Sequence, residues 1–166
     1  MRYDLRLLSA AQANNLTMVS TCLKYVSKET INSCSSFNDT ALHSAASHKV
    51  SDIPRLLIAA GANPNIRNTI KQTPLHVAAT SGNVQAVECL LVAGAALDEK
   101  DHIGNTPLYY AATAGHVEVM ELLLAADAQV LLKNNEHKTI FDKLRELNKP
   151  ELIELIECYQ LEFEII

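Results

Sequence analysis

The segment TPLHVAATSGNVQAVECLLVAGA, residues 73–95, recurs along the chain at an interval of 33 residues. One interval forward it meets TPLYYAATAGHVEVMELLLAADA at 106–128, and one interval back TALHSAASHKVSDIPRLLIAAGA at 40–62. Thr40, Thr73, Thr106 and Thr139 therefore mark the starts of successive units. Units of this length bury their apolar faces by stacking on one another, so the chain extends as a solenoid.

The local chemistry of each unit reads as helix, turn, helix. A threonine caps the first helix, and Pro74 and Pro107 take its first position, where no N–H is missed. The pairs Ala45-Ala46, Ala78-Ala79 and Ala111-Ala112 let neighbouring helices approach closely. Gly82 and Gly115 suit a left-handed turn between helices, and Gly61 and Gly94 a C-terminal stop. Lys49 stands where the inter-helix glycine is expected and Asp127 where the stop glycine is expected. Both are predicted to carry left-handed strain of roughly 1–2 kcal/mol, with Asp the better tolerated. Pro54 falls inside an expected helix, which predicts a late start after Ser51 or Asp52 and a helix shorter than its counterparts.

A period of 33 carrying T-P-L-H-x-A resembles the ankyrin-repeat family. That resemblance implies an all-α solenoid of five stacked helix–turn–helix units, with β-turn or hairpin loops projecting from one side. It also implies that Leu42, Leu75 and Leu108 point into the stack. The chain then reads as one domain, 1–166: an N-terminal capping repeat 1–39, regular repeats 40–72, 73–105 and 106–138, and a C-terminal capping repeat 139–166. The opening unit lacks the Thr-Pro start and carries two extra residues before Ile31. Asp4 is its candidate cap, and Arg2, Arg6, Asn14 and Asn15 its polar outer face. In the closing unit Leu152, Ile153, Ile156 and Tyr159 are predicted to pack inward while Glu151, Glu154 and Glu157 face water. Residues 163–166 either dock on this cap or lead into further chain.

A net charge of −5 and a pI near 5.6 argue against nucleic acid as the partner, since such a footprint is basic and clustered. Cys22, Cys34, Cys89 and Cys158 form no C-x-x-C pair, so no metal site is expected and the compartment reads as reducing. The N-terminus lacks the apolar run of a signal peptide, and no stretch reaches the ~20 apolar residues of a membrane span. His43 and His76 each follow the repeat threonine by three residues, and the family resemblance implies that the imidazole bonds that threonine and nearby backbone. Tyr109 fills the same slot in the third regular unit, which a catalytic histidine would not allow. No nucleophile signature, phosphate loop or paired carboxylates appear, so no catalytic residue and no cofactor are expected.

Two surface series keep the period. Arg67, Lys100 and Lys133 precede the turns, where each either faces its neighbour, Asn68, Asp101 or Asn134, with Lys100–Asp101 the pair of opposite charge, or serves in binding. Phe37, Ile70 and Ile103 stand three residues before the repeat threonines, near the tips of the loops in the family's fold. They form either internal packing between loops or an apolar anchor strip. Ser47-His48, Thr80-Ser81 and Thr113-Ala114, by the same resemblance, line the concave helix face, and His102 adjoins Ile103. The expected partner-binding set is thus Phe37, Ser47, His48, Ile70, Thr80, Ser81, His102, Ile103 and Thr113. The expected function is a non-catalytic adaptor or inhibitor that binds a protein, as a monomer in the cytoplasm. The alternatives are the targeting domain of a larger enzyme, a host-directed effector in a host cytosol, and a structural spacer.

Overall fold

The structure, a computed structural model, describes residues 3–163. Arg2 and the tail from Glu164 to Ile166 lie outside the described residues. Ten helices and no strand occur among those described. They pair in chain order as α1 (Tyr3–Gln12) with α2 (Leu16–Leu23), α3 (Ala41–Ala46) with α4 (Ile53–Ala59), and α5 (Pro74–Ser81) with α6 (Val84–Val92). The series continues with α7 (Pro107–Ala114) and α8 (Val117–Ala125), then α9 (Ile140–Glu146) and α10 (Pro150–Phe163).

Odd-numbered helices stack into an inner row and even-numbered helices into an outer row. The alanine pairs explain why the inner row packs more tightly. Ala45, Ala46, Ala78, Ala79, Ala111 and Ala112 are completely buried, and their methyl groups allow a closer approach than the Val and Leu of the outer row. Leu42, Leu75, Leu108, Leu57, Leu90 and Leu123 fill the space between rows. Each buried leucine contributes about 1.5–3 kcal/mol relative to exposure. The closing cap packs as expected: Leu152 and Ile156 are buried, and Ile153 and Tyr159 rest against the core. Asp4 sits inside the first turn of α1 rather than ahead of it.

Within the regular units glycine takes most of the left-handed inter-helix and stop turns, while Asn14 and Asn148 take the inter-helix turns of the caps. Gly61, Gly82, Gly94 and Gly115 all have positive φ, and Asp127 takes the stop position at φ 70°. Lys49 does not. Helix α3 ends at Ala46, two residues before the point matching the end of α5, and its cap Ser47 stays right-handed. The crossing to α4 then runs through Ser51, whose hydroxyl donates to Asn14 Oδ1 at 2.7 Å and accepts from the Ile53 N–H at 3.2 Å. No sharp reversal is needed, so Lys49 carries no left-handed strain. Pro54 lies in the first turn of α4, which at 7 residues is shorter than the 9 of α6 and α8.

Carbonyls at the end of each inner helix have no partner within the helix. Side chains from the next unit supply one. His48 Nε2 reaches Ala11 O at 3.0 Å, His116 Nε2 reaches Thr80 O at 3.1 Å, and Lys149 Nζ reaches Thr113 O at 3.1 Å. On the loop side Asn32, Asn65 and Asp98 accept the backbone N–H of Asn63, Ala96 and Gln129 at 2.8–3.0 Å. Unit is therefore tied to unit by polar contacts at both edges as well as by the core.

Candidate functional site

Between each outer helix and the next inner helix the chain makes a tight finger of five residues, at 35–39, 68–72, 101–105 and 134–138. The first N–H of each finger donates to its fifth carbonyl: Ser35 to Asp39, Asn68 to Gln72, Asp101 to Asn105, Asn134 to Lys138, at 2.9–3.0 Å. The side chain of the first residue fills the loop. Asn68 Oδ1 accepts the N–H of Ile70 and Gln72, and Asp101 Oδ1 those of Ile103 and Asn105. Asn134 Oδ1 and Ser35 Oγ do the same in their fingers. The fourth residue turns the corner with positive φ: Asn38, Lys71, Gly104 and His137. These are turns rather than hairpins; among the described residues the one isolated bridge pairs Cys34 with Thr40.

This geometry decides what the third residue does. Its N–H is bonded inward and its carbonyl accepts from the next finger. Phe37 O takes Thr69 N–H at 2.9 Å, Ile70 O takes His102 N–H at 3.0 Å, and Ile103 O takes Asn135 N–H at 3.0 Å. The backbone is fully committed, and the side chain is thrown outward. Phe37 is 68% exposed, Ile70 42% and Ile103 43%. The three apolar residues thus form a solvent-facing row on a cross-linked support, and Glu136 holds the matching place in the fourth finger.

Lys71 is the one lysine at such a corner, at φ 61° where the next finger has glycine. Lys71→Gly relieves about 1–2 kcal/mol of left-handed strain against about 0.5–1 kcal/mol of added chain entropy. A net gain on the order of 0.5–1 kcal/mol is expected in denaturant melts. A loss would show that the lysine side chain makes a stabilising contact.

Arg67 and Lys100 do not face their neighbours in sequence. Arg67 donates through Nη2 to Lys100 O at 2.6 Å and pairs through Nη1 with Glu99 at 3.2 Å. Lys100 Nζ in turn donates to Lys133 O at 2.7 Å. The expected Lys100–Asp101 pair is absent because Asp101 Oδ2 is taken by the Tyr110 hydroxyl at 2.6 Å and Oδ1 by the finger backbone. Arg67 and Lys100 reach across to the next unit instead.

His43 and His76 are buried staples. The Thr40 and Thr73 N–H groups donate to Nδ1 at 3.2 and 3.1 Å, and the threonine hydroxyls lie 2.9 Å from the same atoms. With Nδ1 accepting, the proton sits on Nε2, which donates to Gln72 O at 3.1 Å and Asn105 O at 3.2 Å in the following unit. Burial holds both pKa values below the usual imidazole value, outweighing the backbone carbonyls that favour the charged form. In the closing unit Asp142 takes the same slot and accepts from Thr139 N–H and Oγ1, at 2.9 and 2.7 Å. A carboxylate has no second donor to pass onward, so the staple ends there.

Ser47, which caps α3, and Thr80, Ser81 and Thr113 on the inner helices donate their hydroxyls to carbonyls of their own helices at 2.7–3.1 Å. They leave a low surface without free donors. His102 lies along the strip, its Nδ1 3.1 Å from Ile70 O, so Ile70, His102 and Ile103 come together. His48 is different: half-buried, its ring is held by Ala11 O. The sequence reading passed over Val77 and Tyr110, half-buried on the inner helices at the 33-residue interval that also contains Ser44. It also missed the groove of about 570 Å³ between α4 and α6, lined by Ile58, Cys89 and Val92.

A stack of short helix pairs with projecting fingers and an exposed row on them defines a repeat scaffold. A family model described as ankyrin repeats (3 copies) matches residues 51–134, just over half of the chain. The protein belongs to the ankyrin-repeat family, whose members generally serve as protein–protein interaction modules and are typically non-catalytic. A search of curated proteins returned no match. No helix among the described residues is long and apolar enough to cross a membrane.

Proposed function

We propose that this chain is a non-catalytic binding module, an adaptor or inhibitor, that takes a protein partner across its finger tips and concave helix face. The observation that carries this reading is the exposure of Phe37, Ile70 and Ile103 in one row while their backbone is wholly engaged. Packed elements lie roughly 8–10 Å apart, so the strip runs on the order of 20 Å, enough for an extended segment or one helix face. Ser47, Thr80, Ser81 and Thr113 form the low shoulder beside it, with His102 at its edge and His48 at the far end of the shoulder. The module acts as a monomer, and its four free thiols support a reducing compartment such as the cytoplasm.

The test is the double variant Ile70→Ala with Ile103→Ala. Binding to a partner selected on the wild-type chain is expected to weaken by a few kcal/mol, since true anchors cost at least ~2 kcal/mol each. Stability is expected to change little, because both side chains are open to solvent. Calorimetry measures the first and denaturant melts the second. A large loss of stability with unchanged affinity would place the partner elsewhere.

A further inference from the structure

Each finger hangs on the one before it by a backbone bond, and the series has a beginning. The N–H of the second finger residue donates to the third carbonyl of the preceding finger: Thr69 to Phe37, His102 to Ile70 and Asn135 to Ile103, at 2.9–3.0 Å. Ser36 holds that second place in the first finger. No finger precedes it among the described residues, which enter α1 directly at Tyr3. Among them the Ser36 N–H has no acceptor, and Ser36 is exposed. Phe37 beside it shows the same open side. Ile70 and Ile103, with a finger on either hand, are 42% and 43% exposed, whereas Phe37, with a finger on one hand alone, is 68% exposed.

The two ends of this ladder are finished differently. At the far end the third residue is Glu136, paired with Lys138 at 3.5 Å, and charge on an edge discourages further pairing. At the near end the tip, Ser35-Ser36-Phe37-Asn38, carries neither charge nor proline. Asp39, at its base, is engaged by Asn68 Nδ2 at 2.9 Å. The near end is therefore a backbone edge left fit to pair.

The chain itself shows three times what sits against such an N–H. In each case the residue that gives the carbonyl is apolar, Phe37, Ile70 or Ile103, on a turn whose own N–H is bonded inward. Resting on the finger-tip surface proposed above, we infer that the first finger takes a turn or extended segment of another polypeptide. One residue of that segment gives its main-chain carbonyl to the Ser36 N–H and lays an apolar side chain against Phe37. The hydrogen bond fixes register and the side chain supplies contact area, as in other additions to an open backbone edge. A second copy of this chain does not fit the place. With Glu136 O on the Ser36 N–H and the fingers stacked as they are within the chain, α9 of one copy would claim the space of α1 in the other.

Proline at position 36 removes the donor and spares the finger. Asn38 N–H donates to Ser35 O at 3.0 Å and Phe37 has no positive φ, so residues 35–38 form a type I turn with Ser36 where such turns favour proline. A displayed library of random 16-residue peptides is selected on the full chain, and binders lost with Phe37→Ser are kept. Their affinity is expected to fall at least about tenfold with Ser36→Pro and to hold with Ser36→Ala, which keeps the N–H. Thermal melts check that each variant is folded. A second readout needs no variant: on peptide binding the Ser36 amide proton of the wild type is expected to move downfield and exchange more slowly in nitrogen–proton NMR. Phe37-dependent peptides that ignore Ser36→Pro and leave this amide unprotected would overturn the inference, as would equal losses with Ser36→Ala and Ser36→Pro. A selection that returns only peptides indifferent to Phe37→Ser would overturn it as well. In each of these cases the finger-tip surface stands if the peptides still lose affinity with Ile70→Ala, Ile103→Ala. Peptides that ignore that double change and Ser36→Pro alike would overturn both.

Discussion

His76→Ala is expected to lower the unfolding free energy by about 3–5 kcal/mol. The imidazole is completely buried, so its removal opens a cavity at the centre of the stack. It also strands the Thr73 N–H and takes one of two donors from Asn105 O, which keeps the Asp101 N–H. The Thr73 N–H loses the acceptor at 3.1 Å, and Asn105 O loses the donor at 3.2 Å. The second loss matters more for a repeat protein, since that bond ties one unit to the next. His76→Gln keeps one polar reach and most of the volume, so a smaller loss, about 1–2 kcal/mol, is expected. Urea melts of the two variants give the comparison, and equal, small losses would show that the staple contributes little.

The same residues set an acid dependence whose sign follows from the depressed pKa values. Above the unfolded imidazole value, about 6.5, His43 and His76 are neutral in both states and their contribution is complete. Below it the unfolded chain binds protons that the folded chain refuses, so stability falls as pH falls toward the folded values. Asp39 facing His43, and Asp101 and Arg67 facing His76, adjust this only in second place to burial. The slope of stability against pH below about 6.5 is expected to flatten in His76→Gln. An unchanged slope would mean that His76 takes no part in it.

How far the sequence led depends on what each residue answers to. Helix positions, the alanine pairs and the fate of Pro54 follow from backbone rules local to a few residues, and these were legible. Phe37, Ile70 and Ile103 were placed on the loop tips, but nothing in their spacing separates an exposed row from an internal one. The answer came from the finger backbone, whose bonds turn the third side chain outward. Lys49 misled because alignment to Gly82 assumes equal helix lengths, and α3 ends two residues early. The paths of Arg67 and Lys100 were hidden for another reason. Their acceptors are backbone carbonyls 33 residues ahead, which carry no residue-type signal. Asn32, Asn65 and Asp98 do keep the period in sequence, and a search for repeating Asx positions would have found them.

Gly104→Ala is expected to cost roughly 2–4 kcal/mol, and the reason lies in the neighbouring finger. A methyl group at Gly104 would stand 2.6 Å from Asn135 Oδ1, 2.8 Å from Asn135 N and 3.0 Å from Asn134 Cα. Two of these atoms are backbone and have no rotamer to escape into, so the fourth finger must move. That finger is held to the third by Asn135 N–H to Ile103 O and Asn135 Nδ2 to His102 O, each 3.0 Å. Moving it breaks both bonds and loosens the support under Ile103. Backbone conformation alone does not explain such a loss, because Lys71 holds a positive φ in the preceding finger with a full side chain. Gly94→Ala separates the two causes. Its φ is 78° and nothing lies within 4 Å of the added methyl, so it reports strain alone, about 1–2 kcal/mol. Urea melts of the two variants should therefore differ by the contact at Asn135, and a partner seated on the finger strip should lose affinity only with Gly104→Ala. Equal losses of stability would mean that the fourth finger yields freely and that the fingers are not a rigid support.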